Sequence, residues 1–275
     1  MSYSTMTQLV RSFLEGPLTR WLLMRWRRKQ FLSSAGFGCY FGAYSSFEEA
    51  RQYLPPSPGF DEEALTEEHV TIRTNRIFAY DYPMLWWLSS AFGSGAKSIL
   101  DIGGSVGVHF YAYRPWLRYP PELRWTIVEV PAVERVGRRL AAEREATSLD
   151  FCTDLLEAVS RTGASIWISA GALQYLAPPS LSVLLHTCSR HPGHILLNKL
   201  PLFDGDDFVS AQNLGESCFS PVHIFNRVRF VESILAEGYV LKDQWAVYER
   251  SFYLPGYPER SFPCFTGLYF VADES

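Results

Sequence analysis

Residues 98–107 read Ser-Ile-Leu-Asp-Ile-Gly-Gly-Ser-Val-Gly, a short apolar strand carrying one carboxylate and running into a glycine-rich turn that opens a helix. That order constrains the chain strongly. Glycines let a backbone turn sharply and bring its N–H groups close to a ligand, and a strand–turn–helix of this kind places the ligand at the strand's C-terminal end. The spacing narrows the reading further. A dinucleotide fingerprint needs G-x-G-x-x-G, and no register of Gly103, Gly104 and Gly107 supplies it. What stands here is Asp101-x-Gly-Gly-Ser105-x-Gly107, with the acid ahead of the first glycine. The competing reading of this segment alone is a βα turn that holds no ligand.

Arg124-Trp-Thr-Ile-Val-Glu129 is a second apolar strand ending in a carboxylate. An acid at the end of the second strand, some 20 or more residues past the glycines, is placed to accept hydrogen bonds from a ribose. An isolated carboxylate at a strand end is more simply solvated. Behind a glycine turn at this distance, Glu129 reads as a ribose ligand.

From Ser98 onward strand and helix alternate, as in a mostly parallel sheet. Further strands are expected at Ser148–Thr153, Ala164–Ala170, His194–Leu200, Tyr239–Val247 and Gly267–Val271, the last two forming an antiparallel pair. Helices are expected at about 106–114, through Val133, Val136 and Leu140, from a Pro178-Pro179 turn to about Cys188, and over Asn226–Glu237. The segment Pro201–Phe225 is left as a long connection suited to a substrate loop. The fold class is therefore α/β and Rossmann-like, with a seven-stranded sheet over residues 93–275.

Residues 1–92 carry helix signals without strand alternation and read as a helical cap over the ligand edge. Ser46-Phe-Glu-Glu49 has capping-box spacing, and Pro55-Pro56 ends that helix. An acidic run at 61–68 leads into an apolar-periodic helix through about Tyr80, and Asp81 is placed to cap the next, with Pro83 in its first turn. Arg20, Arg25, Arg27, Arg28 and Lys29 interleave with Trp21, Leu22, Leu23, Met24 and Trp26. Such a helix either packs on its own domain or lies on an anionic membrane surface.

The formal net charge of −4 gives no basic footprint for nucleic acid. The five cysteines are scattered, with no Cys-x-x-Cys pair, which fits reduced thiols and a cytoplasmic chain better than a disulfide framework or zinc site. No His/Asp/Glu cluster has metal-ligand spacing, no signal peptide is visible at the start, and no apolar run suffices for stable membrane insertion.

The Asp101-to-Gly107 segment resembles motif I of class I S-adenosylmethionine (SAM) methyltransferases, normally Asp/Glu-x-Gly-x-Gly-x-Gly. A wider succession is similar to a family of bacterial methyltransferases often encoded near genes for surface polysaccharides and specialised metabolites: Tyr40-Phe-Gly-Ala-Tyr-Ser-Ser-Phe-Glu-Glu-Ala50, Tyr80-Asp-Tyr-Pro83, Asp101 to His109, Trp125 to Glu129, Leu173-Gln-Tyr-Leu176, Ala211-Gln-Asn213 and Phe219–Phe225. Serine at the middle glycine belongs to that family's pattern. The resemblance covers nearly the whole chain from Tyr40 and implies SAM as cofactor. It places Asp101 near the methionine end, Gly103, Gly104, Ser105 and Gly107 in the turn, Glu129 on the ribose, Asp154 at the adenine after the third strand, and Ala170 at the end of the fourth. Asp154 has an equally good reading as a helix N-cap.

Methyl transfer is an in-line displacement, helped chiefly by alignment, and a hydroxyl acceptor commonly also needs a base. His109, in the first turn past the glycines, and His223, in the long connection, are the candidates. His69, His186, His191 and His194 read as structural or solvated. Gln174 and Tyr175 follow the fourth strand, and Tyr44, Tyr82 and Tyr175 are candidates to line an aromatic acceptor pocket. The expected partner is a small-molecule or sugar-type acceptor, with a homodimer as the oligomeric expectation. Three other readings stand beside O-methylation: N-methylation of a small metabolite, SAM binding without catalysis, and a serine hydrolase on Gly103-Gly-Ser-Val-Gly107 with Asp204 and His223 drafted as triad partners.

Overall fold

Leu100, Ile127, Ile166 and Ile195 are all fully buried, which is what parallel strands covered by helices on both faces require. In the computed structural model, which describes residues 20–177, 180–188 and 190–273, helix α1 (Arg20–Phe31), strand β1 (Tyr40–Tyr44) and helices α2 (Phe47–Tyr53), α3 (Glu67–Thr71) and α4 (Tyr82–Gly93) come first. Strand and helix then alternate: β2 (Ser98–Ile102), α5 (Val108–Tyr113), β3 (Arg124–Val128), α6 (Pro131–Glu143), β4 (Leu149–Cys152), α7 (Leu155–Thr162), β5 (Ile166–Ala170), α8 (Leu181–Thr187) and β6 (His194–Leu200). After β7 (Leu202–Phe203), β8 (Phe208–Gly215) and β9 (Cys218–Asn226) come α9 (Arg227–Leu235), β10 (Tyr239–Val247) and β11 (Phe265–Ala272). The expected Pro178-Pro179 turn lies outside the described residues.

The main sheet has seven strands in the order β10-β11-β6-β5-β2-β3-β4. Strands β4, β3, β2, β5 and β6 run parallel, while β11 is antiparallel to both neighbours. The chain lays β2, β3 and β4 outward on one side, then returns to add β5 and β6 on the other. The order therefore reverses between β2 and β5, and the crevice outside their C-terminal ends is where open α/β sheets take ligands. This is a Rossmann-like arrangement of strands closed by an antiparallel pair.

Three expectations need correction. The connection after β6 is no loop: β8 and β9 form a hairpin, joined by β1 and β7 in a second sheet ordered β1-β8-β9-β7. Gly215, Glu216 and Ser217 all take positive φ and close its turn. Strand β1 breaks the all-helical reading of the first ninety residues, pairing Tyr40 with Gln212. The cap is thus assembled from two distant stretches of sequence. Nor does one helix run from the acidic segment to Tyr80; it is broken into Glu63–Thr66, α3 and Arg73–Asn75, with Arg76 extended. Thr66, Thr71, Thr74 and Asn75 all donate side-chain hydrogen bonds to nearby backbone carbonyls, and this competes with regular helix.

Helix caps follow the sequence in part. Ser46 accepts from the Glu49 amide, as expected, whereas Glu49 turns to the amide and hydroxyl of Ser45. Asp81 does not cap α4: it accepts from the Phe78 amide and the Tyr113 hydroxyl. Helix α1 buries Leu23 and Phe31 and sets Arg20 over the Tyr257 ring, leaving Trp21, Leu22 and Trp26 exposed. Among the described residues, no helix is long and apolar enough to cross a membrane.

Candidate active site at the strand reversal

The glycine turn is held by its own packing. Gly103 (φ +73°) and Gly107 (φ +97°) need backbone conformations that side chains resist. A Cβ on Gly103 would lie 2.1 Å from the Ala172 Cβ, and one on Gly104 2.6 Å from the Asp101 carboxylate. These glycines bring the turn against the segment after β5 and against the acid of β2. Ser105 is buried and left-handed at φ 55°, an uncommon conformation for serine.

Ser105 joins two parts of the site. Its amide donates to Glu129 Oε1 at 2.8 Å, while Glu129 Oε2 accepts from the Val130 amide at 3.1 Å. Its hydroxyl lies 2.6 Å from His69 Nδ1 in α3. Burial pushes the Glu129 carboxyl up to about 7, against the pull of the two amides. Burial first, then the positive charges of Arg73 and Lys199, hold His69 down at about 4, so its ring is neutral. His69, set aside in the sequence as structural or solvated, is a wall of the site.

Asp101 is fully buried, its Oδ2 taking hydrogen bonds from His109 Nδ1 at 2.9 Å and Trp125 Nε1 at 3.2 Å. Its Oδ1 is buried with no partner among the described residues. His109 is itself buried, bracing α5 to β2 through this contact, which argues against it as a base open to a substrate. His223 sits in β9 between the rings of Phe47 and Phe225, and the charge bearing on it is Asp207 rather than any group around Asp101. The strand pairing of β9 with β8 has drawn it out of the loop the sequence suggested. Asp154 caps α7, accepting from the Glu157 amide at 3.0 Å, so its alternative reading as an N-cap accounts for it.

Beyond β5, buried Ala170 leads to Gly171 and to Gln174, which donates to the Gly171 carbonyl at 3.1 Å and keeps a buried Oε1 without a partner. Tyr175 donates to Gln212 Oε1 of β8 and meets Phe60 edge-on at 4.7 Å, with burial holding its hydroxyl up at about 12. Tyr44 instead stacks on Tyr53 in the second sheet's outer cluster, and Tyr82, first residue of α4, is 57% exposed.

Sequence reasoning missed Lys199, Asn198 and Tyr80. Lys199 is buried at the end of β6 with its amine 5.1 Å from the Tyr80 ring centre. Asn198 donates to the Tyr80 carbonyl at 2.8 Å and accepts from Trp245 Nε1 at 3.2 Å. The signal was there: an Asn-Lys pair interrupts the apolar run His194-Ile-Leu-Leu-Asn-Lys-Leu200 of a central strand.

A methyl donor of the SAM type is compatible with this cradle. The turn's backbone faces the crevice at the strand reversal, Glu129 has lone pairs to spare beyond its two amides, and Asp101 Oδ1 and Gln174 Oε1 are buried acceptors without partners among the described residues.

No family model matches the chain, and no curated protein matches it. Solved structures with a similar fold include the 1,6-didemethyltoxoflavin-N1-methyltransferase of Burkholderia thailandensis with bound 1,6-didemethyltoxoflavin and S-adenosylhomocysteine, at 17% identity and TM-score 0.48 over 71% of this chain and 79% of that one. The N-terminal domain of EvdMO1 with S-adenosylhomocysteine is similar at 16% identity and TM-score 0.46 over 82% and 94% of the two chains. An S-adenosylmethionine-dependent methyltransferase of Mesorhizobium loti gives 13% identity and TM-score 0.45 over 70% and 98%. At these identities the likeness is one of fold.

Proposed function

We propose that the chain is a SAM-dependent methyltransferase acting on a hydroxyl of a small-molecule or sugar-type acceptor. The observation that carries this reading is the union of Glu129 and the Ser105 amide at the mouth of the strand reversal. A nucleoside laid across that crevice meets a carboxylate for its ribose hydroxyls and backbone N–H groups from the turn. Asp101 Oδ1 and the glycine turn would hold the amino-acid end, and the Ala170–Gln174 segment the reacting end. The cofactor supplies an electrophilic methyl group. The protein's residues then align an acceptor oxygen with it and keep water away, the role of the aromatic and buried wall formed by Tyr80, Tyr175 and His69.

The hydrolase reading keeps one point in its favour, the short Ser105–His69 contact. It lacks a third member. The charges bearing on His69 are Arg73, Lys199 and His109, with no carboxylate among them. Asp204 pairs with Arg227 at 2.7 Å, away from the turn, and His223 lies in β9. Calorimetry with S-adenosylhomocysteine tests the proposal: saturable one-to-one binding, weakened about ten- to a hundredfold in Glu129→Ala by loss of charge-assisted hydrogen bonds, is the expected result. Absence of binding to both SAM and its demethylated product would overturn it.

A further inference from the structure

Strand β6 carries a β-bulge where it meets β11. Leu197 pairs with Leu268 and Leu200 with Thr266, so Asn198 and Lys199 together face the single residue Gly267. A bulge of this kind bends a strand and re-aims a side chain, and bulges gather beside active sites. Here the backbone at Lys199 is left-handed, φ 56°. Among the described residues five non-glycine residues have positive φ; Glu145, Glu216 and Ser217 are exposed turn residues, whereas Ser105 and Lys199 are buried, and both border the strand reversal. Such strain persists only where its surroundings fix it.

The surroundings do fix it. Asn198 Oδ1 accepts from the Lys199 amide at 3.0 Å and from Trp245, and its Nδ2 holds the Tyr80 carbonyl. Gly267 has no room for a side chain, since a Cβ there would fall 1.9 Å from Trp245. The Lys199 stem lies against Gly171, where a Cβ would stand 3.3 Å from the lysine Cε. Ala172, next in the chain, packs on Gly103. The amine is thereby carried to the β5 side of the glycine turn, opposite the ribose acid.

We propose that Lys199, aimed by the Asn198–Lys199 bulge, is the general base that takes the proton of the acceptor hydroxyl. This inference rests on the methyltransferase reading. The acceptor O–H bond breaks and its proton bonds to the neutral amine, which becomes an ammonium. The oxygen's electron pair forms the new bond to the methyl carbon, and the pair of the broken carbon–sulfur bond remains on sulfur. The amine must therefore be neutral in a useful fraction at neutral pH. Burial, followed by the charges of Arg73 and Arg250, lowers it to about 7, while Asp81 and Asp101 pull the other way. The groups facing it from neighbouring elements are thus Arg73, Asp81, Arg250 and Asp101, with His69 and the Tyr80 ring beside them. The two carboxylates are engaged elsewhere, Asp81 with Tyr113 and Asp101 with His109 and Trp125, so neither forms an ion pair with the lysine.

The chain holds four lysines, Lys29, Lys97, Lys199 and Lys242, so each lysine Cε signal can be followed by carbon NMR and that of Lys199 assigned from its loss in Lys199→Met. In the free protein it is expected to titrate near neutrality, with the other lysines near their ordinary value of about 10.4. The decisive comparison is between SAM and S-adenosylhomocysteine, which differ by the methyl group and its positive charge. If the amine faces the methyl, SAM lowers its pKa by about half a unit or more relative to the demethylated product, because a like charge a few ångströms away disfavours the ammonium. A merely structural lysine would not distinguish the two. Lys199→Met is expected to bind S-adenosylhomocysteine within about threefold of wild type, showing an intact cofactor site. Titration near 10 in the free protein, or identical titration with the two ligands bound, overturns the role of Lys199 alone. Failure of both ligands to bind removes the methyltransferase reading and this inference with it.

Discussion

If Glu129 holds the ribose as proposed, cofactor affinity depends on pH, and the raised carboxyl pKa of about 7 sets the size expected for the effect. Burial raises its carboxyl to about 7, with the Val130 and Ser105 amides offsetting part of the rise. Ribose hydroxyls donate most strongly to the ionised carboxylate, so the cofactor selects that form. With a pKa of about 7, the ionised fraction falls about tenfold from pH 8 to pH 6, and affinity should fall by the same factor, roughly 1.4 kcal/mol. Binding below pH 7 should release a proton. The sign for stability runs the other way in the free protein: a raised pKa gives stability that is full below about 4.5 and is lost as pH rises through about 7. Ligand-induced thermal stabilisation should therefore grow across the same window. The assay is calorimetric titration with S-adenosylhomocysteine at pH 6, 7 and 8, in buffers of different ionisation enthalpy to count protons. Glu129→Gln should bind more weakly at pH 8 and lose the pH slope. A wild-type affinity flat from pH 6 to 8, or a slope preserved in Glu129→Gln, would refute the reasoning.

Gly103→Ala forces its new methyl against Ala172 and holds alanine at a left-handed φ, so it should cost about 2–5 kcal/mol in denaturant unfolding. Adding Ala172→Gly should return the steric part and leave about 1–2 kcal/mol; equal losses in the single and double variants would show that Ala172 is not the obstacle. Ser105→Ala keeps the amide that meets Glu129 and loses the hydroxyl that meets His69. It should leave S-adenosylhomocysteine affinity within about threefold, and abolition of an esterase activity instead would favour the hydrolase. Asp101→Asn should weaken that ligand about tenfold or more by replacing the free Oδ1, with the folded far-ultraviolet dichroism spectrum retained; unchanged affinity would take Asp101 off the ligand.

The half of the candidate site around the glycine turn was legible as geometry because it is contiguous. Strand, acid, turn and second-strand acid all lie between Ser98 and Glu129, and each obeys a local rule: apolar runs make strands, glycine supplies positive φ, a strand's last residue faces the crevice. The alternation that follows gave the order of elements, and the antiparallel β10–β11 pair is where the sequence placed it. The reason for the glycines was less visible. Close packing on Ala172 and Asp101 depends on where β5 returns, which no local pattern reveals.

The other half was obscured by topology. His69, Tyr80, Lys199 and Arg250 are far apart in sequence, and only the folded chain brings them together around the end of β6. Histidine 223 looked available while its segment was taken for a loop, and pairing of β8 with β9 removed it. The Asn-Lys pair in an apolar central strand drew no functional reading from the sequence, because the bulge that re-aims it depends on the pairing with β11.

Ser105 ties these halves into one device. Its amide is committed to the acid at the ribose position and its hydroxyl to the histidine of the cap, both through one left-handed residue. A nucleoside that engages Glu129 acts on the partner of the Ser105 amide, and the serine can respond only by moving the group that holds His69. The charge of Lys199 in turn bears on His69. The spare torsional freedom of this turn is small, because Gly103 and Gly104 already press on Ala172 and Asp101. On the proposed reading, Glu129, Ser105 and His69 form one continuous hydrogen-bonded path between the glycine turn and the cap. Ser105→Ala is expected to cut the hydroxyl link to His69 while keeping the amide link to Glu129, so a change in S-adenosylhomocysteine affinity beyond about threefold would show that the two links are not separable.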